Sequence, residues 1–148
     1  MFQRGGSVRP GHQQVEIAHS LAVVDVMEML AGENPGSRVT TEREIRAKRG
    51  REVGRFPRTD ERRIPDGELV LASGHVVAVE VDLTPKRSPK MEEIIRRYMD
   101  DSYAAVWWFV RPRTVERMTD VVRACGATKL VEIHPWDPRS QRTGVRAQ

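Results

Sequence analysis

Apolar and polar positions follow a helical period in the first third of the chain and a strand period from the middle onward. Between Gln13 and Ala31 the apolar residues Ile17, Ala18, Leu21, Ala22, Met29 and Leu30 recur near helical spacing, which predicts a first helix ending before Gly32. Thr41 and Glu44 stand three apart in the manner of a capping box, in which each side chain satisfies the other residue's backbone amide. A short helix from about Glu42 to Arg49 follows from it. Residues 50 to 63 hold two glycines, one proline and many charges, and read as a loop. Such a loop is either an arm that closes on a charged polymer or plain surface.

From Ile64 the pattern changes. Ile64 to Ala72 and Val76 to Leu83 alternate or run β-branched around Ser73-Gly74, which predicts a hairpin. Ser88 with Pro89 behind it starts a helix to about Asp101, because proline at the first helical position loses no needed hydrogen bond. Ala104 to Val110 is short, apolar and aromatic, as a strand covered on both faces requires. Pro112 opens another helix that Gly126 closes, and Lys129 to His134 forms a last strand. A hairpin running into two β-α-β crossovers implies an α/β fold, a mixed sheet flanked by helices. In it Val76 to Leu83 is central or nearly so, with Ala104 to Val110 parallel to it, since the connection is too long for a hairpin. Residues 1–11 read as a flexible lead-in, 12–134 as one domain and 135–148 as a polar, frayed tail.

The 148 residues suffice for one domain that buries roughly 70% of its unfolded surface. Cys125 is the single cysteine, which excludes an intramolecular disulfide and a cysteine-pair zinc site and favours a reducing cytoplasm. No apolar run suits a membrane span, and the first residues lack the apolar core of a secretory signal.

The formal charge is +4, and between Arg38 and Arg63 ten basic residues stand against five acidic ones. That segment therefore carries the whole excess. Its arginines Arg43, Arg46, Arg49, Arg51, Arg62 and Arg63 are candidate phosphate contacts, because guanidinium groups fork onto phosphate oxygens and release counterions. A solvated surface is the competing explanation, since arginine outnumbers lysine 21 to 4 throughout.

Candidate chemistry concentrates in residues 64 to 86. On the second hairpin strand Val77, Val79, Val81 and Leu83 share one face, and Ala78, Glu80 and Asp82 the other. The two carboxylates stand roughly 6.6 Å apart by strand rise. Acids on a buried strand are costly unless they bind something, and Mg²⁺ suits such oxygens. Asp66 joins them for one parity of the hairpin: a loop of Ser73, Gly74 and His75 sets it opposite Asp82, whereas a two-residue loop turns it to the other face. His19, beside apolar residues on the first helix, reads as a packing or capping residue. Tyr98 either points toward the acids or packs. Trp107 and Trp108 must face opposite sides of their strand, so at least one is core, while base stacking is the functional alternative.

Pro65-Asp66, then Glu80-Val81-Asp82 after a hairpin, then a helix and an apolar strand, resembles the PD-(D/E)XK nuclease core. The resemblance implies a restriction-endonuclease-like core in which Asp66 and Glu80 hold Mg²⁺ that activates water for phosphodiester hydrolysis, and the strand pattern adds Asp82 as a further candidate ligand. Asp82 stands where that pattern has a lysine, and Lys86 is the nearest replacement. The stretches His19 to Val26, Thr41 to Arg46, Ile64 to Gly67 and Val79 to Lys86, with Tyr98 and the AVWWFV strand after them, resemble the replication-relaxation family of plasmids and mobile elements. That resemblance implies a DNA context, with DNA and a replication or transfer protein as partners. Members commonly carry a winged-helix region before this domain, and since little precedes His12 the expectation is that this module is absent. Three functions follow: a metal-dependent endonuclease or nickase, a catalytically inactive nuclease-like accessory that binds DNA or a replication or transfer protein, and a structural or dimerisation domain.

Overall fold

A computed structural model describes residues 10–53 and 62–140, without the side chains of residues 10 and 53. Helix α1 (Pro10–Glu33) is followed by strand β1 (Arg38–Thr41), helix α2 (Glu42–Val53) and the hairpin strands β2 (Gly67–Val70) and β3 (Val76–Asp82). Helix α3 (Ser88–Met99), strand β4 (Ala105–Val110), helix α4 (Val115–Ala124) and strand β5 (Val131–Pro135) complete the order. The five strands form one mixed sheet in sequence order, antiparallel from β1 to β3 and parallel from β3 to β5. The expected central position of β3 and its parallel pairing with β4 are both present.

Alternation along β3 divides the core. Val77, Val79 and Val81 pack with Ala22, Val26, Met27 and Leu30 of α1 on one face. Ala78 packs on the other face beneath Met91, Ile94, Ile95 and Tyr98 of α3 and Met118 and Val122 of α4. Trp108 belongs to this second cluster and is fully buried, whereas Trp107 is half-buried on the α1 face. A strand covered on both faces has little room for charge, so what surrounds Glu80 decides its meaning.

Several elements differ from expectation for identifiable reasons. β1 was not expected: its four residues are too few to show a period, and pairing with β2 stabilises it. The Thr41–Glu44 capping box does form, with the Glu44 N–H donating to Thr41 Oγ1 and the Thr41 N–H to Glu44 Oε2, both at 3.3 Å. α2 then continues through Gly50 to Val53, into the segment expected to be loop. α1 begins at Pro10, earlier than expected. β2 is shorter than its apolar pattern because Pro65 has no N–H to give the ladder. Part of the expected tail is packed, since Trp136 is buried and its N–H donates to the Val110 carbonyl at 2.7 Å. Residues 1–9, 54–61 and 141–148, on which the rest of the lead-in, loop and tail readings fall, lie outside the described residues. Among the described residues no helix is long and apolar enough to cross a membrane.

Candidate functional site

The hairpin turns through Ala72, Ser73 and Gly74, with the Leu71 N–H donating to the His75 carbonyl at 2.9 Å and Gly74 at φ 89°. Gly67 pairs with Val79, so one step further sets Asp66 opposite Glu80. This corrects the expected pairing of Asp66 with Asp82: the loop has three residues, but it lies one position earlier. Counting in twos from the bonded pair Leu71–His75, the next hydrogen-bonded rung beyond Gly67–Val79 falls at Pro65 and Val81. Proline has no N–H to donate to the Val81 carbonyl across that rung.

Two side chains serve Val81 instead. Its N–H donates to Asp66 Oδ2 at 2.8 Å, and its carbonyl accepts from His19 Nε2 at 3.0 Å. His19 Nε2 also lies 3.4 Å from Asp66 Oδ2. Because a carbonyl only accepts, Nε2 must carry the proton. The Asp66 hydrogen bond raises the His19 pKa against the opposing effect of burial. Burial pushes Asp66 upward, but the bonds from His19 and the Val81 N–H together outweigh it and hold the carboxyl below its ordinary range.

Glu80 is 3% exposed, on the α3 face. Arg63 Nε donates to its Oε1 at 3.0 Å, and the Tyr98 hydroxyl donates to the same oxygen. Burial, and then the Asp66 charge, push the Glu80 pKa up to about 7 despite Arg63. Near neutral pH the group therefore exchanges between acid and carboxylate, and in the acid form it lies within hydrogen-bonding reach of Asp66. Burial and the Glu80 charge also raise the Tyr98 hydroxyl, which stays protonated as the donor. Asp82, further along the same strand face, pairs with Lys86 Nζ at 2.8 Å.

These partners bear directly on the metal expectation. Asp66 and Glu80 approach each other, while Asp82 turns to Lys86, and among the described residues no group of three His, Cys, Asp or Glu side chains is arranged to hold a metal ion. The donor set as folded does not fit a three-carboxylate Mg²⁺ site. The acids on the buried strand are instead offset by cations of the chain itself.

A second unit of the same composition lies beside the first. Tyr103 donates to Glu68 Oε1 at 2.5 Å and accepts from Arg49 at 3.0 Å. The Tyr103 ring meets the Tyr98 ring edge-on at 5.8 Å. Arg49 also donates to the Arg63 carbonyl at 2.7 Å and lies 3.7 Å from Asp101. Arg49 and Arg63, expected among the phosphate contacts, thus spend their guanidinium groups inside the fold. Arg46 is exposed and paired with Glu42 at 2.7 Å, and Arg62 is paired with Glu52 at 3.1 Å. Arg43 and Arg51 are exposed with no ion pair among the described residues. No family model matches the chain, and neither does any curated protein or solved structure.

Sequence reasoning undervalued His19, whose partners are 47 and 62 positions away. The signal that pointed to it was Pro65, which guarantees a broken rung without saying what repairs it. Glu68 and Tyr103 were missed altogether. Glu68 shares the strand-face parity of Ala78 and Glu80, which was readable once the register was known.

Proposed function

We propose that this chain is a DNA-binding accessory protein of plasmid or mobile-element replication or transfer, built on a restriction-endonuclease-like scaffold whose carboxylate site is held closed by its own cations. The order helix, strand, hairpin, helix, strand supports the scaffold reading, with Asp66 at the mouth of β2 and Glu80 in β3. The motif resemblance supports the DNA context. The observation that carries the inactive reading is the occupancy of Glu80: Arg63 and Tyr98 both bond Oε1, and Arg63 Nη2 lies 3.5 Å from Oε2. The chain should therefore bind DNA with an affinity that falls steeply with salt, and should leave supercoiled plasmid intact in Mg²⁺ or Mn²⁺. Nicking by the purified chain that disappears in Glu80→Gln would overturn the inactive reading. The approach of Asp66 to Glu80 favours one second reading, a metal-dependent nickase, which requires Arg63 to release Glu80 when substrate arrives.

A further inference from the structure

A cavity of about 620 Å³ opens between α2, the β1 edge and the turn of the β2–β3 hairpin. Its lining includes Arg38, Lys48, Arg51 and Arg62 together with His75 and Tyr103. The acids that share it are largely engaged already. Glu52 holds Arg62, Asp101 faces Arg49, Glu68 takes the Tyr103 hydroxyl, and Glu44 caps Thr41. Arg38, Lys48 and Arg51 are exposed and, among the described residues, have no ion pair. Three uncommitted cations thus share one recess, while the outward residues Arg43 and Arg46 lie on α2 outside its lining.

We propose that this cleft is a phosphate-binding channel for single-stranded DNA. The inference rests on the DNA-binding reading above and names the form of DNA that fits. Cations inside a recess reach the phosphates of a strand that enters it, whereas a duplex presents its phosphates on a convex surface. A volume of this size is that of a small-ligand site and admits a short length of one strand. Tyr103 and His75 supply flat rings at the floor and rim, and ring-to-base stacking tolerates any sequence. The floor is fixed from within, since Arg49 ties Tyr103 to the backbone of Arg62 and Arg63.

Fluorescence anisotropy tests this with the full chain, a labelled oligo-dT strand and a duplex of equal length, read at several salt concentrations. The wild type should bind the strand at least tenfold more tightly than the duplex. The triple variant Arg38→Ala/Lys48→Ala/Arg51→Ala should lose at least tenfold on the strand and lower its salt slope by about 2, given roughly 0.7 per single-strand phosphate contact. A charge-matched control, Arg113→Ala/Arg123→Ala/Lys129→Ala, removes exposed cations elsewhere and should change affinity less than threefold. Thermal melts of both variants establish that they fold, as substitution of exposed side chains allows. Equal losses in the two variants, or duplex bound as well as the strand, overturn the cleft and leave the DNA-binding reading standing. Absence of binding to either DNA by the wild type overturns both.

Discussion

The Asp66 carboxylate accepts the Val81 N–H at 2.8 Å, at the rung of the β2–β3 ladder that Pro65 cannot complete. Pro65 lacks only the N–H that the Val81 carbonyl would have met, and the Val81 N–H goes to the Asp66 side chain in place of the Pro65 carbonyl. His19 answers the other half of the broken rung from α1, so the same three residues lock helix to sheet. This gives Asp66 and His19 a structural reason to be where they are, independent of any chemistry they perform.

Removing that acceptor should be costly in a specific order. Asp66→Ala leaves the Val81 N–H without a partner and should lower stability by about 1–3 kcal/mol in urea unfolding. Asp66→Asn keeps an oxygen for the amide and loses only the charge facing His19, so it should cost less. An Asn variant as unstable as the Ala variant would place the stabilisation in the charge and not in the rung.

The His19 imidazole reports the same pairing without unfolding the protein. Its pKa is raised by Asp66 against the effect of burial, so in Asp66→Asn it should fall to or below the ordinary value of about 6.5. NMR titration of the four histidines, with His19 assigned from a His19→Gln variant, measures it. An unchanged midpoint would mean that the two side chains do not interact in solution.

Much of this arrangement was legible in the sequence, and the missing parts share one cause. The hairpin, the parallel β4, and helices α3 and α4 announced themselves because Gly74, Pro89 and Gly126 punctuate apolar runs long enough to show a period. Four-residue β1 shows none, and it forms because β2 offers it a ladder. The hairpin register depended on whether the turn began at Ala72 or Ser73, a choice set by the positive φ of Gly74 and by the packing of Leu69 under α1. Partner choice was the least legible. Nothing local distinguishes Arg49, which turns inward, from Arg46 one turn earlier, which pairs on the surface.

That difference predicts opposite behaviour for two neighbouring arginines. Arg49→Met keeps the stem but strands the carbonyls of Arg62 and Arg63 and leaves Asp101 charged, buried and unpaired; a loss of about 3 kcal/mol is expected. Arg46→Ala removes an exposed pair and should stay within about 0.5 kcal/mol of wild type. Chemical denaturation of both variants decides the matter. An Arg49→Met protein as stable as wild type but weaker on DNA would return Arg49 to the phosphate contacts.

Glu80 makes the most distinctive prediction, because its pKa is raised to about 7 from an ordinary value of 4.5. A raised pKa means that the folded protein binds a proton which the unfolded chain has released, so between those two values stability falls as pH rises. The contribution is complete below pH 4.5, is lost as pH passes through about 7, and amounts to at most about 3 kcal/mol. Asp66 acts at lower pH with the opposite sign, since its depressed pKa makes its contribution disappear only in acid. His19 has the same sign as Glu80, with its loss falling above its ordinary value of 6.5, but its side chain is 39% exposed and solvent weakens its effect. Glu80→Gln imitates the protonated acid: its amide oxygen accepts from Tyr98 and Arg63, and its NH₂ is free to donate toward Asp66. Urea unfolding at pH 5 and pH 8 should therefore show the wild type losing stability across the interval and the Gln variant losing much less. At pH 8 the variant should be the more stable of the two. Parallel curves for the two proteins would mean that Glu80 stays ionised throughout, with Arg63 outweighing burial, and the closed carboxylate site would then be a permanent ion pair.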